Sequence, residues 1–489
     1  MENSNLITPR IYLDTNSITI KCSPNCHVGF RQQVDGVEYE VVDSNLLRKR
    51  LKEGCDMSKL CTTLVTNMEA LFEDSDFNQP IGNWDVGNVT KMKGMFRDSK
   101  FNQNIENWDV RNVIDMNWMF RYSVFNQPIN NWNVSKVQSM NQMFRSSNFN
   151  QPIGSWDVSN VKDMKGMFWD SRFNSPLGNW DVSSVIDMSY MFSISIPQRN
   201  QEFKHFNQTI NNWNVGNVKN MSNMFSRSPF NQPIDNWDVS NVENMNDMFF
   251  GSSFNQPIGD WNVSKVNNMS FMFSDSPFNH SIKNWDVSNV LNFENMFSNT
   301  PFNQPIVKWN VSKVTNMSGM FSNTPFNQPI NNWDVAKVTD MSWMFRESPF
   351  NQPLSNWNVG NVKDISRMFS ESQFNQPIGN WDVGNVVNMN GLFYDSKFDQ
   401  PIGDWDVRNV VDMSWVFHCS KFNQPIGNWN VINVKDLTSI FSKNYIFNQD
   451  ISRWCVKNIS SEPKDFSTGS PLTDENKPKW GSCPDHSNS

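Results

Sequence analysis

A 24-residue unit recurs along most of this 489-residue chain. No other property of the sequence limits the fold as strongly, because each copy must bury the same side chains against its neighbours. One copy, FNQPIGNWDVGNVTKMKGMFRDSK, fills 77–100. Its leading Phe returns at 101, 125, 149 and 173, then from 206 to 422 in steps of 24. The step from Phe173 to Phe206 is 33, an insertion of nine residues around 193–205, and the step from Phe422 to Phe447 is 25.

Aligned by this period, each position becomes a column. The Trp84 column is Trp in all 16 copies, through Trp454, and the Val86, Val89 and Phe96 columns are equally constant. Trp84 and Val86 alternate with Asp85, which predicts a short strand. Val89, Met92 and Phe96 stand at i, i+3 and i+7, which predicts one face of a short helix, with Ser135, Ser159, Ser240 and Ser288 placed to cap it. Pro fills 12 of the 16 sites in the Pro80 column, so the strand is expected to begin after it. One copy has too few apolar side chains to fold alone, whereas stacked copies share buried faces. The expected fold is therefore an α/β repeat solenoid. Its coils pair a short parallel strand with a short helix, and the bias of parallel crossovers makes it right-handed.

The expected organisation is a β-rich cap with a short helix over 1–60, a solenoid of about 16 repeats over 61–456, and a C-terminal cap and tail over 457–489. In the first cap, Asp35-Gly36 reads as a hairpin turn, and the helix NLLRKRLKEG is expected to stop at Gly54. In the tail, Trp480 is the candidate plug for the last coil.

The spacing I-x-x-W-x-V matches the L-x-x-L-x-L core of leucine-rich repeats. The wider unit, FNQPI..WDVSNV...MF, resembles the BspA-type repeats of the DUF285 (mycoplasma lipoprotein-associated) family over roughly 61–456. The ends, IYLD..SITIKC and the segment 454–484, resemble that family as well. The resemblance implies a leucine-rich-repeat-like solenoid used in surface exposure and adhesion, at a cell or virion surface, with no shared catalytic residues.

Charge and hydropathy narrow the function. The formal net charge is −8, and the longest basic run is Arg48-Lys49-Arg50. A nucleic-acid or anionic-membrane binder needs a basic footprint that is missing here. No apolar run approaches a membrane span, and the first residues lack the charged and apolar regions of a secretory signal.

Candidate sites are few. The Asp85 column, Asp or Asn with never more than two Asp in succession until Cys455, is expected to point outward as a ladder, with calcium between neighbours such as Asp85 and Asp109 as the sharper alternative. The Asn78 column reads as a turn-holding ladder. The five histidines share no column, and no Ser or Cys nucleophile stands at a recognisable spacing from a base. Cys22, Cys26, Cys55 and Cys61 are compatible with zinc, disulfides or free thiols. Cys455 replaces the Asp/Asn of the last coil and is expected to bond Cys483 in a tail folded back over it, leaving Cys419 free. Gly94, Gly166, Gly319 and Gly391 are each followed one coil later by Trp118, Tyr190, Trp343 and Trp415, which suggests a ring leaning over bare backbone, with exposed aromatic anchors for a partner as the functional alternative.

Variation gathers at Arg97, Tyr122, Trp169, Phe250 and Tyr394, and at Arg199 and Phe203 in the insertion. Irregular positions on a regular scaffold are where a repeat protein distinguishes partners, so these are the candidate contacts. The expected function is a non-enzymatic scaffold for protein–protein interaction or surface adhesion, with no cofactor. Its partner would be another protein or a cell-surface macromolecule, and lateral or end-to-end self-association is compatible with the repeats. The alternatives are a structural fibre, coat or virion-surface component and, more remotely, a carbohydrate-active enzyme on a solenoid.

Overall fold

The computed structural model describes residues 8–195 and 205–484. The chain divides into two units, Met1–Asn241 and Val242–Ser489.

Unit 1 begins with a small β cap. Strands β1 (Ile11–Leu13) and β2 (Ile20–Cys22) pair antiparallel. Strands β3 (Arg31–Val34) and β4 (Val37–Asp43) form a hairpin. Its turn residues Asp35 and Gly36 have φ of 50° and 80°, the left-handed pair such a turn requires. Helix α1 (Ser44–Lys52) starts where the Asp43 carboxylate accepts the amides of Asn45 and Leu46, and it stops before Gly54 at φ 71°. Strand β5 (Leu60–Leu64) lies parallel to β4. Ile20 bridges Trp84, and Thr62 Oγ donates to the Asp85 carbonyl at 2.9 Å. The cap thus covers the open edge of the first coil, which would otherwise invite pairing with another chain.

The coils overturn the expected strand-plus-helix repeat. Among the described residues α1 is the only α-helix, and β1 to β5 all lie in the cap. Each coil is instead a series of turns. Trp84 N–H donates to Ile81 O (3.2 Å), Val89 N–H to Val86 O (2.9 Å), Met95 N–H to Met92 O (3.1 Å) and Arg97 N–H to Gly94 O (3.1 Å). The alternate amides of Met92, Gly94, Phe96 and Asp98 donate to carbonyls of the next coil, at Asp115, Asn117, Met119 and Arg121. Positive φ explains why no helix forms. Gly94 (61°) and Asp98 (53°) sit in the left-handed region, and the same two columns do so again at Trp118 (59°) and Tyr122 (58°). A left-handed residue every fourth position prevents a helix from propagating. Parallel pairing survives only as single bridged residues, such as Lys91 with Asp115 and Asp115 with Ser139. Ser135 caps no helix, for its amide and hydroxyl both donate to Asn133 Oδ1.

The invariant columns form the core. Trp84 and Trp108 stack with centroids 6.3 Å apart, and Trp108 Nε1 donates to Ile81 O at 3.1 Å, satisfying the polar end of a buried ring. Phe96 stacks on Phe101 of the next coil at 4.2 Å. Unit 2 repeats the pattern, with Trp309 on Trp333 at 6.4 Å and Phe345 on Phe350 at 4.1 Å. The Asn78 column joins coils: Asn78 Oδ1 accepts the amide of Asn102 (2.9 Å) and Nε2 of Gln103 (3.2 Å).

Unit 2 ends in a tail that substitutes for a further coil. Ser439, Phe441 and Lys443 donate backbone bonds to Lys464, Phe466 and Thr468. The plug is Phe466, edge-on to Phe441 at 5.6 Å, with Trp480 packed on it at 4.9 Å. Cys455 is disulfide-bonded to Cys483, Cα to Cα 4.1 Å.

Candidate binding face

The turn-segment columns of Lys93, Gly94, Arg97 and Asp98 vary along the chain, and side chains from them meet across neighbouring coils. In unit 1 they carry an interleaved run of cations and rings. The Lys93 ammonium lies 4.8 Å from the Trp118 ring centre. The Arg121 guanidinium lies 5.9 Å from Trp118 and 4.9 Å from Tyr122. Arg145 lies 5.6 Å from Tyr122 and 3.5 Å from Trp169, and Trp169 meets Tyr190 at 4.8 Å. Arg97 is 6.0 Å from Trp118 and ion-paired with Glu73. Trp118 Nε1, Arg121 Nε and Arg145 Nε are buried atoms without hydrogen-bond partners among the described residues.

Unit 2 carries a second such run. Arg346 and Arg367 lie 5.1 Å and 5.0 Å from the Trp343 ring centre. Tyr394 lies 5.8 Å from Arg367, stacks on His418 at 5.1 Å and meets Trp415 at 6.2 Å. His418 is buried, and that burial pushes its imidazole below the usual range. Phe250 contacts Phe271 edge-on at 6.2 Å.

Several of these rings sit where the backbone disfavours them. Trp118, Tyr190, Phe271, Trp343 and Trp415 have φ between 56° and 64°, at a column where Gly, Asn or Asp would be less strained. An L-residue there costs on the order of 1–2 kcal/mol, and strained positions concentrate at functional sites.

The packing expected between each ring and the preceding glycine takes a different form. A Cβ added at Gly166, Gly319 or Gly391 would first meet Gln142, Asn295 or Arg367 of the coil before, and at Gly94 it would meet nothing within 4 Å. The glycine serves the left-handed backbone; Trp118 and Trp343 contact cations, Tyr190 contacts Trp169, and Trp415 contacts Tyr394 and His418.

Of the sequence candidates, Arg97, Tyr122 and Trp169 come together in unit 1, Tyr394 joins the unit 2 run, and Phe250 packs on Phe271. Arg199 and Phe203 lie outside the described residues. Arg121, Arg145 and Arg367 escaped sequence reasoning as contacts, while Trp118 and Trp343, the alternative partner anchors, belong to the two runs. Reading the Arg97 column downward, through Arg121, Arg145 and Trp169, would have found the first run.

The Asp85 column points outward as expected, with Asn133, Asp157, Asp286 and Asp334 exposed, but its first member departs from this. Asp85 is buried, its Oδ1 accepts the amide of Gly87, and its Oδ2 accepts from Thr63. Asp157 likewise accepts the Ser159 amide. These side chains close their own turns. Cys22, Cys26 and Cys61 are buried in the cap core, while Cys55 and Cys419 are half-buried free thiols. Among the described residues no three His, Cys, Asp or Glu side chains converge to hold a metal. No helix there is long and apolar enough to cross a membrane.

The family described as "Mycoplasma protein of unknown function, DUF285" matches six overlapping stretches, 45–147, 99–202, 194–305, 275–376, 299–397 and 370–480. The chain belongs to the DUF285 family. No curated protein and no solved structure matches it. Both cation–ring runs fall inside DUF285 repeats, so they are built on the regular unit and do not depend on the caps.

Proposed function

We propose that this chain is a non-enzymatic binding scaffold whose turn face reads another protein or a cell-surface macromolecule, in the manner of an adhesin. The observation that carries this reading is the run from Lys93 to Tyr190. Rings are held at left-handed positions at an energetic cost, and cations with unused donors lie between them. The invariant columns, by contrast, do nothing but build coils. Exposed aromatics and arginines are the residues that dominate protein interfaces, and Tyr122 is 41 % exposed. Guanidinium groups along this run favour a partner surface rich in carboxylates.

The test compares wild type with the triple variant R121A/R145A/W169A in pull-downs from cell-surface protein fractions, with circular dichroism confirming that both fold. The reading expects proteins captured by the wild type to be lost with the variant. Equal capture by both would overturn it.

A further inference from the structure

Three consecutive coils of unit 2 frame a depression of about 520 Å³. Its shape follows from side-chain size. The middle coil presents Ser318, Gly319 and Ser322, and the floor consists of these small residues with the Asn295 carboxamide of the coil before lying over Gly319. The coil before presents Glu294, Asn295 and Asn299, and the coil after presents Asp340, Trp343 and Arg346. A small coil between two larger ones leaves a slot about one coil wide, walled by an indole on one side. Trp343 is 39 % exposed.

We propose that this slot is a binding site for a neutral hexopyranose, the terminal sugar of a glycan. A pyranose has an apolar C–H face and a rim of hydroxyls. An indole offers a matching flat apolar wall, and a few polar groups fix orientation in such a pocket. The groups here are of both kinds. Asn295 and Asn299 amides donate and accept, Ser318 and Ser322 hydroxyls do the same, and Asp340 accepts. Arg346 lines the slot with a guanidinium already ion-paired to Glu347 and Glu371.

Charge selects against ionic ligands. Arg346 and Arg367 already lie 5.1 Å and 5.0 Å from the Trp343 ring centre, so a cation stacked there would meet two like charges. Glu294 and Asp340 would repel an anion. Burial raises the Glu294 carboxyl above its ordinary range, and the Asp340 charge adds to the effect. Asn292 and Asn316 donate to this carboxylate, Asn316 Nδ2 only at 3.4 Å, and sugar hydroxyls would add further donors. The site deepens the proposed binding role and rests on it.

The experiment is saturation-transfer NMR on the full chain with a panel of neutral methyl glycosides of glucose, galactose, mannose and N-acetylglucosamine at millimolar concentration. Two variants accompany it. Trp343→Ala removes the wall. Gly319→Asn fills the floor with a residue the same column already holds at left-handed φ, at Asn223 (57°) and Asn295 (50°), so the backbone accepts it once the flexible Asn295 side chain swings aside. The proposal expects transfer to the ring C–H protons of at least one sugar, reduced at least tenfold in affinity by either variant and unchanged by Lys52→Ala at an exposed position of α1. It is overturned by no transfer from any sugar, or by transfer that persists in both folded variants. Loss of sugar binding by the wild type with protein capture intact would remove this site and leave the broader binding role standing.

Discussion

Arg145 holds its guanidinium 3.5 Å from the ring centre of Trp169 in the next coil, while its own Nε finds no hydrogen-bond partner among the described residues. Cation and ring are therefore coupled across coils and not merely adjacent. A partly desolvated cation–π pair contributes about 1–2 kcal/mol. A double-mutant cycle with Arg145→Ala and Trp169→Ala, read by denaturant unfolding, is expected to give a coupling of about 1 kcal/mol. Strictly additive losses would contradict a direct contact.

Acid should loosen the N-terminal cap first. Arg50, bonded at 2.7 Å and 2.8 Å, and then Arg31 hold the Glu40 carboxyl below its usual range. Its folded pKa is thus lower than its unfolded one. The stabilisation is fully present above the unfolded value of 4.5 and is lost as pH falls below it toward the folded value. Glu40→Gln should weaken the cap at neutral pH and flatten this acid dependence, which amide exchange in β3 and β4 would show. An acid profile identical to the wild type would mean that Glu40 is not the responsible group.

The Cys455–Cys483 bond closes a separation of 28 residues on the last coil, a loop length at which a disulfide contributes about 3 kcal/mol in the chain-entropy model. Repeat proteins lose stability locally. Cys483→Ser is therefore expected to speed amide exchange around Trp454 and Phe466 while leaving the coils near Trp333 unchanged. Uniform destabilisation of unit 2 would refute this local role.

Much of the core was legible because its columns never vary. Trp84, Val86, Val89 and Phe96 read as internal, and all are buried. The Asp35-Gly36 turn and the stop at Gly54 were equally readable, since each depends on one residue's backbone freedom. The coil conformation was not. Apolar side chains at i, i+3 and i+7 suit a helix, but two consecutive turns return the chain to the same face at nearly the same spacing. The discriminating signal lay in the Gly94 and Asp98 columns, where Gly, Asn and Asp recur as residues that tolerate left-handed φ. Trp118 and Trp343 in the first of these columns obscured it. The binding face was half legible. Arg97 and Trp169 stood out singly, but their contacts with Trp118 and Arg145 depend on which columns face one another across coils, and that depends on the turns.

The account rests on the Gly94 column being left-handed, because this both excludes a helix and aims Trp118 and Trp343 outward. The most direct measurement is the unfolding free energy of Gly94→Ala beside Gly94→Asn. Gly94 has φ 61°, and an added Cβ would touch nothing within 4 Å, so the substitution reports backbone conformation alone. Left-handed turns predict a loss of about 1–2 kcal/mol for Ala and a smaller loss for Asn. A helical segment would instead gain about 1 kcal/mol with Ala, and that gain would contradict the account.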